Sequence, residues 1–128
     1  SNPEYKTEMN FIEPDSGDKL WCSRVKRAIE SGMDGVVLGG TYKKDDPDFQ
    51  EFVKLTKEHD ILFLVPGIGS QGGEVEEFLA SGIDSNRCMI CSSRGLMFPK
   101  GNKSSKSEQA KAAEELRDNF NKHLKYGN

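Results

Sequence analysis

The chain has 128 residues, enough for one domain and one core but short of the roughly 250 residues of a complete (β/α)8 barrel. Eighteen Lys and Arg against 21 Asp and Glu give a net charge of −3, which implies no general attraction to nucleic acid or to an anionic membrane, so any anion must be held locally. No uncharged apolar run approaches a membrane span and no basic-then-apolar segment opens the chain, so the expectation is a soluble, cytosolic protein.

Residues 1–17 carry no clear period and contain Pro3, Pro14, Ser16 and Gly17, which predicts a loop or N-terminal extension. The spacing predicts a body of alternating helices and strands over 18–128. From Asp18, the residues Leu20, Trp21, Val25, Ala28 and Ile29 fall on one face at helical period, and Gly32 suits the end of that helix. Trp21 reads as the anchor of this helix on the core. Gly35-Val36-Val37-Leu38-Gly39-Gly40-Thr41 then reads as a buried strand with glycine at its far end.

Pro47 suits a first helical turn, and Phe49, Phe52, Val53 and Thr56 continue it on one face. His59 is expected near the end of this helix, where it favours the dipole. Ile61 to Val65 is an unbroken apolar run of the kind that a strand buried on both faces requires. It leads into Val65-Pro66-Gly67-Ile68-Gly69-Ser70-Gln71-Gly72-Gly73, and then into a short helix from Glu74 to Ala80 with acidic residues in its first turn. Strand, glycine loop and helix start together present unpaired N–H groups that suit a phosphate. Gly67, Gly69 and Gly72 also spell G-x-G-x-x-G, a pattern shared by plain turns and dinucleotide sites.

Cys88 to Ser92 is the last strand, ending in Ser92-Ser93-Arg94-Gly95. Cys88 and Cys91 form C-x-x-C, but residues three apart in a strand point to opposite faces, so they read as structural thiols and no metal site is expected. After Phe98-Pro99 the chain turns polar. Ser107 or a neighbour caps a last helix with Ala113, Leu116, Phe120 and Leu124 as its buried stripe, and His123 beside it.

Strands separated by crossover helices imply parallel, right-handed βα units, whose ligands gather at the carboxyl ends of the strands. Those ends carry Gly39-Gly40-Thr41, Pro66 to Gly73, and Ser92 to Gly95. Arg94 offers a planar fork of donors to two phosphate oxygens and Gln71 an amide to a third; the alternative is that Arg94 pairs with a carboxylate such as Glu74. A dinucleotide-binding domain fits poorly, because its fingerprint belongs to the first strand and here two strands precede or carry the loop.

Taken together, these three blocks resemble the C-terminal part of orotidine 5′-phosphate decarboxylase, from near Leu20 to near Phe120. The resemblance implies an α/β fold that is the C-terminal portion of a (β/α)8 TIM barrel, usually dimeric, converting orotidine 5′-monophosphate (OMP) to uridine 5′-monophosphate (UMP) and CO2 without metal or organic cofactor. It implies that Gln71, Gly72 and Arg94 bind the substrate phosphate, with Gly95 offering a backbone N–H. Pro66 and Gly67 would lie against the pyrimidine, and Ser1, if native, would reach its edge. The family's Asp-x-Lys-x-x-Asp motif, whose lysine protonates the carbon that loses CO2, is absent from the 128 residues, so no catalytic residue is assigned. The chain is then expected to hold the phosphate grip and to need the N-terminal half of the barrel as partner. The alternatives are a non-catalytic phosphate-binding half-barrel that assembles with copies of itself, and another phosphosugar barrel enzyme.

Overall fold

The computed structural model describes residues 3–68 and 74–124. Its centre is a three-stranded sheet of β1 (Gly35–Val37), β2 (Leu62–Pro66) and β3 (Cys88–Cys91), in that spatial order and wholly parallel. Helices α2 (Leu20–Glu30), α3 (Pro47–Thr56) and α4 (Val75–Leu79) precede, link and follow the strands, and α6 (Lys106–His123) follows the last. The parallel strands alternating with helices are those read from the hydrophobic pattern.

Each crossover has a local cause. Asp46 caps α3, its carboxylate accepting from the N–H groups of Asp48 and Phe49 at 3.0 and 3.2 Å, with Pro47 at the first helical position where no N–H is needed. Lys19, at the N-cap of α2, pairs with Asp48 in the first turn of α3 and so ties the two helix starts together. At α6 the cap is Ser105, not Ser107: Ser105 Oγ accepts from the Glu108 N–H while Glu108 accepts from the Ser105 N–H, a capping box.

The core lies on one face of the sheet. Val25 of α2, Phe49 and Phe52 of α3, and Val75 and Phe78 of α4 close over Leu38, Ile61, Phe63 and Val65. Phe49 stacks on Phe78 with centroids 5.5 Å apart, and Phe52 meets Phe63 edge-on at 5.5 Å. Trp21 packs against this cluster as expected of an anchor, but its indole N–H is buried without an acceptor among the described residues.

The opposite face corrects the expectation of strands buried on both sides. Val37 is 70% exposed, Leu62 42%, Leu64 39% and Met89 52%. The register places Val37 beside Leu64 and Leu64 beside Met89, so these side chains form one continuous apolar surface. Nothing among the described residues lies over it.

Four further differences from the expected elements have local reasons. Residues 3–9 are not loop but a helix, α1 (Pro3–Met9), with Pro3 at its first position and Glu4 in its first turn; it lacks an apolar stripe and so left no period to read. A second unforeseen helix, α5 (Ser93–Met97), follows β3 directly. His59 lies three residues beyond the end of α3, where its carbonyl accepts from the Arg87 guanidinium. On α6 the half-buried apolar positions are Ala112, Leu116 and Phe120, and Ala113 is exposed; the helix rests on α4 and α5, and its contacts with them decide which positions face inward.

Candidate functional site

The three blocks singled out in the sequence meet at one end of the sheet. Beyond the formal end of β1 the pairing continues, with Leu38 N–H donating to Leu64 O at 2.9 Å and Gly40 N–H to Pro66 O at 2.7 Å. Pro66 in turn stands opposite Cys91 in β3. The segment after β1 is thus bonded to the end of β2, and the end of β2 lies beside the end of β3, so the three carboxyl ends are neighbours. Gly67 is one residue beyond Pro66 on β2, and Arg94 three residues beyond Cys91 on β3.

Gly67 has φ +97°, a conformation that L side chains rarely adopt, and this turns the chain out of β2 immediately after Pro66. Ile68 returns into the core and is fully buried, so the root of the glycine loop is fixed by packing. Gln71 and Gly72, like Ser1, lie outside the described residues. Of the expected site residues, Pro66 and Gly67 stand at the end of β2, and Arg94 and Gly95 follow the neighbouring β3.

Arg94 and Gly95 are carried by α5. Its first turn closes through the Leu96 N–H to Ser92 O at 3.1 Å, and its end is held by the Gln109 side chain of α6, which donates to Met97 O at 2.8 Å. Between α5 and α6 opens a cavity of about 540 Å³ lined by Ser92, Arg94, Gly95, Phe98, Leu116 and Asn119. Arg94 forms no ion pair with any described residue, Glu74 included. Its guanidinium is thus available at the end of the sheet where βα units take their ligands.

A second cavity, of about 480 Å³, lies at the free edge of β1 between α2 and α3, against Trp21, Val37, Leu38, Tyr42 and Phe52. No local pattern in the sequence marks it, because its lining is drawn from α2, the end of β1, the following loop and α3. Of the acidic residues on its rim, Asp46 caps α3 and Asp48 pairs with Lys19.

The thiols are placed as structural groups. Cys22 is buried, and burial with a smaller contribution from Asp84 pushes the Cys88 thiol up to about 12, so at neutral pH it is protonated and a poor nucleophile or ligand. No group of three or more His, Cys, Asp or Glu side chains is arranged to hold a metal ion among the described residues. No described helix is long and apolar enough to cross a membrane.

A parallel sheet with helices linking its strands defines the class: an α/β fold built of βα units, as in a portion of a (β/α)8 barrel. Sequence comparison supplies the family. The chain is 30% identical over 96% of its length to the orotidine 5′-phosphate decarboxylase of Aromatoleum aromaticum, and 36% identical over 94% to that of Bordetella avium. The Haloarcula marismortui enzyme of the same name is 34% identical over 77% of the chain. The chain is thus homologous to orotidine 5′-phosphate decarboxylases over most of its own length, while it spans 45%, 45% and 34% of these three relatives. No family model matches the chain, and no solved structure does.

Proposed function

We propose that the chain is the C-terminal, substrate-phosphate-binding portion of an orotidine 5′-phosphate decarboxylase, acting in UMP synthesis when the N-terminal half of the barrel completes it. The observation that supports this reading is the bond from Gly40 N–H to Pro66 O with Pro66 opposite Cys91, because it aligns the strand ends from which the glycine loop and the Arg94 segment depart. Arg94 grips two oxygens of the substrate phosphate, Gln71 donates its amide to a third, and the N–H groups of Gly72 and Gly95 complete the cradle. Pro66 and Gly67 border the pyrimidine and Ser1 reaches its edge. The intact enzyme is a cytoplasmic homodimer.

In such an enzyme the phosphate is remote from the bond that breaks. Its binding energy lowers the barrier by holding the base against the catalytic groups, so Arg94 and Gln71 contribute to rate without touching the reacting carbon. The proton that replaces CO2 comes from the lysine of an Asp-x-Lys-x-x-Asp motif in the complementary half. This chain alone binds nucleotide and does not decarboxylate it.

The test is calorimetric titration of wild type and Arg94→Ala with UMP, beside inorganic phosphate. A charge-assisted pair worth about 1.5–3 kcal/mol predicts roughly 10- to 150-fold weaker UMP binding in the variant. Equal affinity in both proteins would remove Arg94 from the site. For the activity, mixing the chain with the N-terminal portion of a relative is expected to give OMP turnover, and a folded mixture without turnover would reject the decarboxylase reading.

The apolar face of Val37, Leu62, Leu64 and Met89 favours one alternative, a non-catalytic half-barrel whose copies cover one another. It predicts a homo-oligomer that the complementary half does not dissociate.

A further inference from the structure

Among the described residues β1 has a strand neighbour on one side only, β2, and its other edge is open. In a parallel pair, successive residues of a strand turn their backbone groups to opposite sides. Leu38 and Gly40 donate their N–H groups to Leu64 O and Pro66 O, so those of Val37 and Gly39 face away from β2. Both residues line the cavity of about 480 Å³ between α2 and α3, whose lining includes no residue of β2. The Trp21 ring lines it with them, and its buried N–H lacks an acceptor among the described residues. The wall of this cavity thus carries donors at strand spacing and offers them no acceptor.

Helix α2 indicates the occupant. A crossover helix between parallel strands lies over both, the strand it follows and the strand it enters. α2 enters β1, and its Trp21 and Val25 wall the cavity, where no described strand lies beneath them. Val37 also belongs to the open apolar face, so cavity and face form one continuous surface. The chain spans 45% of its relatives in Aromatoleum aromaticum and Bordetella avium, so more than half of each lies outside the match. We propose that the free edge of β1 is a strand-docking seam, in which an extended segment of the complementary half lies along β1 in this cavity and accepts from the Val37 and Gly39 N–H groups. This rests on the reading of the chain as one portion of a decarboxylase barrel, and it places one junction between the portions.

The experiment mixes the full 128-residue chain, isotope-labelled, with the unlabelled N-terminal portion of the Bordetella avium relative. By NMR, the amides of Val37 and Gly39 are expected to exchange fast in the chain alone and to slow roughly tenfold or more in the mixture, while those of Leu38 and Gly40 are slow in both. Trp21 is the chain's one tryptophan, so its single indole resonance needs no assignment, and it is expected to shift on mixing. Gly39→Pro removes one edge donor and no bond to β2, whereas Gly39→Ala keeps the donor, and a Cβ at 39 meets only the Tyr42 ring, at an ordinary 3.8 Å. The proline variant is expected to bind the other portion roughly 5- to 150-fold more weakly than the alanine variant, the cost of a buried carbonyl left without its donor. If the proline variant does not fold, the exchange pattern of wild type decides alone. A complex in which Val37 and Gly39 exchange as in the free chain, or equal affinity of the two variants, overturns the seam, and turnover by that complex leaves the decarboxylase reading standing. Slowed exchange in a complex without turnover upholds the seam and rejects that reading. Protection of the same amides that grows with the concentration of the chain alone makes a second copy the occupant and overturns this assignment, as does the absence of any association.

Discussion

Cys88 and Glu108 show how single residues here are tuned by their immediate surroundings. Burial favours the neutral Cys88 thiol and raises its pKa above the ordinary value of 9.0 to about 12. The sign follows: the unfolded chain loses this proton first, so the contribution to stability is constant below about pH 9 and falls as pH rises toward 12. A thiol-specific disulfide reagent at pH 8 is expected to react with half-buried Cys88 more slowly in the native protein than in denaturant, and equal rates in the two states would contradict its raised pKa. Glu108 moves the other way. The Ser105 N–H, the Ser105 hydroxyl and then Lys100 hold its carboxyl below the usual range, so its stabilisation is present above about pH 4.5 and lost as pH falls through the lowered value. Ser105→Ala removes one arm of the capping box and is expected to cost about 1 kcal/mol at pH 7, measured by urea denaturation.

At the scale of elements, β2 decides most. Alternation along Leu62-Phe63-Leu64-Val65 sends Phe63 and Val65 under the helices and Leu62 and Leu64 to the open face. The helix-facing side carries the stability. Phe78→Ala, in α4 over that side, removes a fully buried ring stacked on Phe49 and is expected to cost about 3–5 kcal/mol, a large share of the roughly 5–15 kcal/mol of an ordinary domain, measured by urea denaturation. The open side is where association is expected. Leu64→Lys/Met89→Lys is expected to leave the fold intact, to shift the chain toward monomer in sedimentation, and to abolish turnover with the complementary half. Unchanged turnover would mean that this face is not where the halves join. The strand run was legible as apolar, but an unbroken run of four or five residues does not say whether its second face is covered, since that depends on chain that lies elsewhere.

For the molecule as a whole, the order of helices and strands, the parallel sheet and its single core followed from periodicity and crossover length. Glycine at the ends of β1 and β2 and arginine just past β3 were legible in the sequence, because packing alone does not select them there. The helical form of Ser93 to Met97 was not legible. Ser93 to Met97 contains a glycine and makes a single turn, so it has no period, and it is helical because α6 receives it through Gln109. Helix α1 escaped for the same reason of length, and the half-buried stripe of α6 moved from Ala113 to Ala112 because its partners, not its own pattern, set its rotation.

What the sequence determined by itself was the alternation of βα units, the helix-covered core, and which residue types would stand at the carboxyl ends of the strands, since those follow from local spacing and from the chemistry of glycine and arginine. What only the tertiary structure decided was the pairing that sets Gly40 on Pro66 and Pro66 opposite Cys91, the docking on α6 of the short helix that bears Arg94, and the exposure of the second sheet face. Each of these depends on which surfaces meet across distant parts of the chain, and no local pattern of residues encodes that meeting.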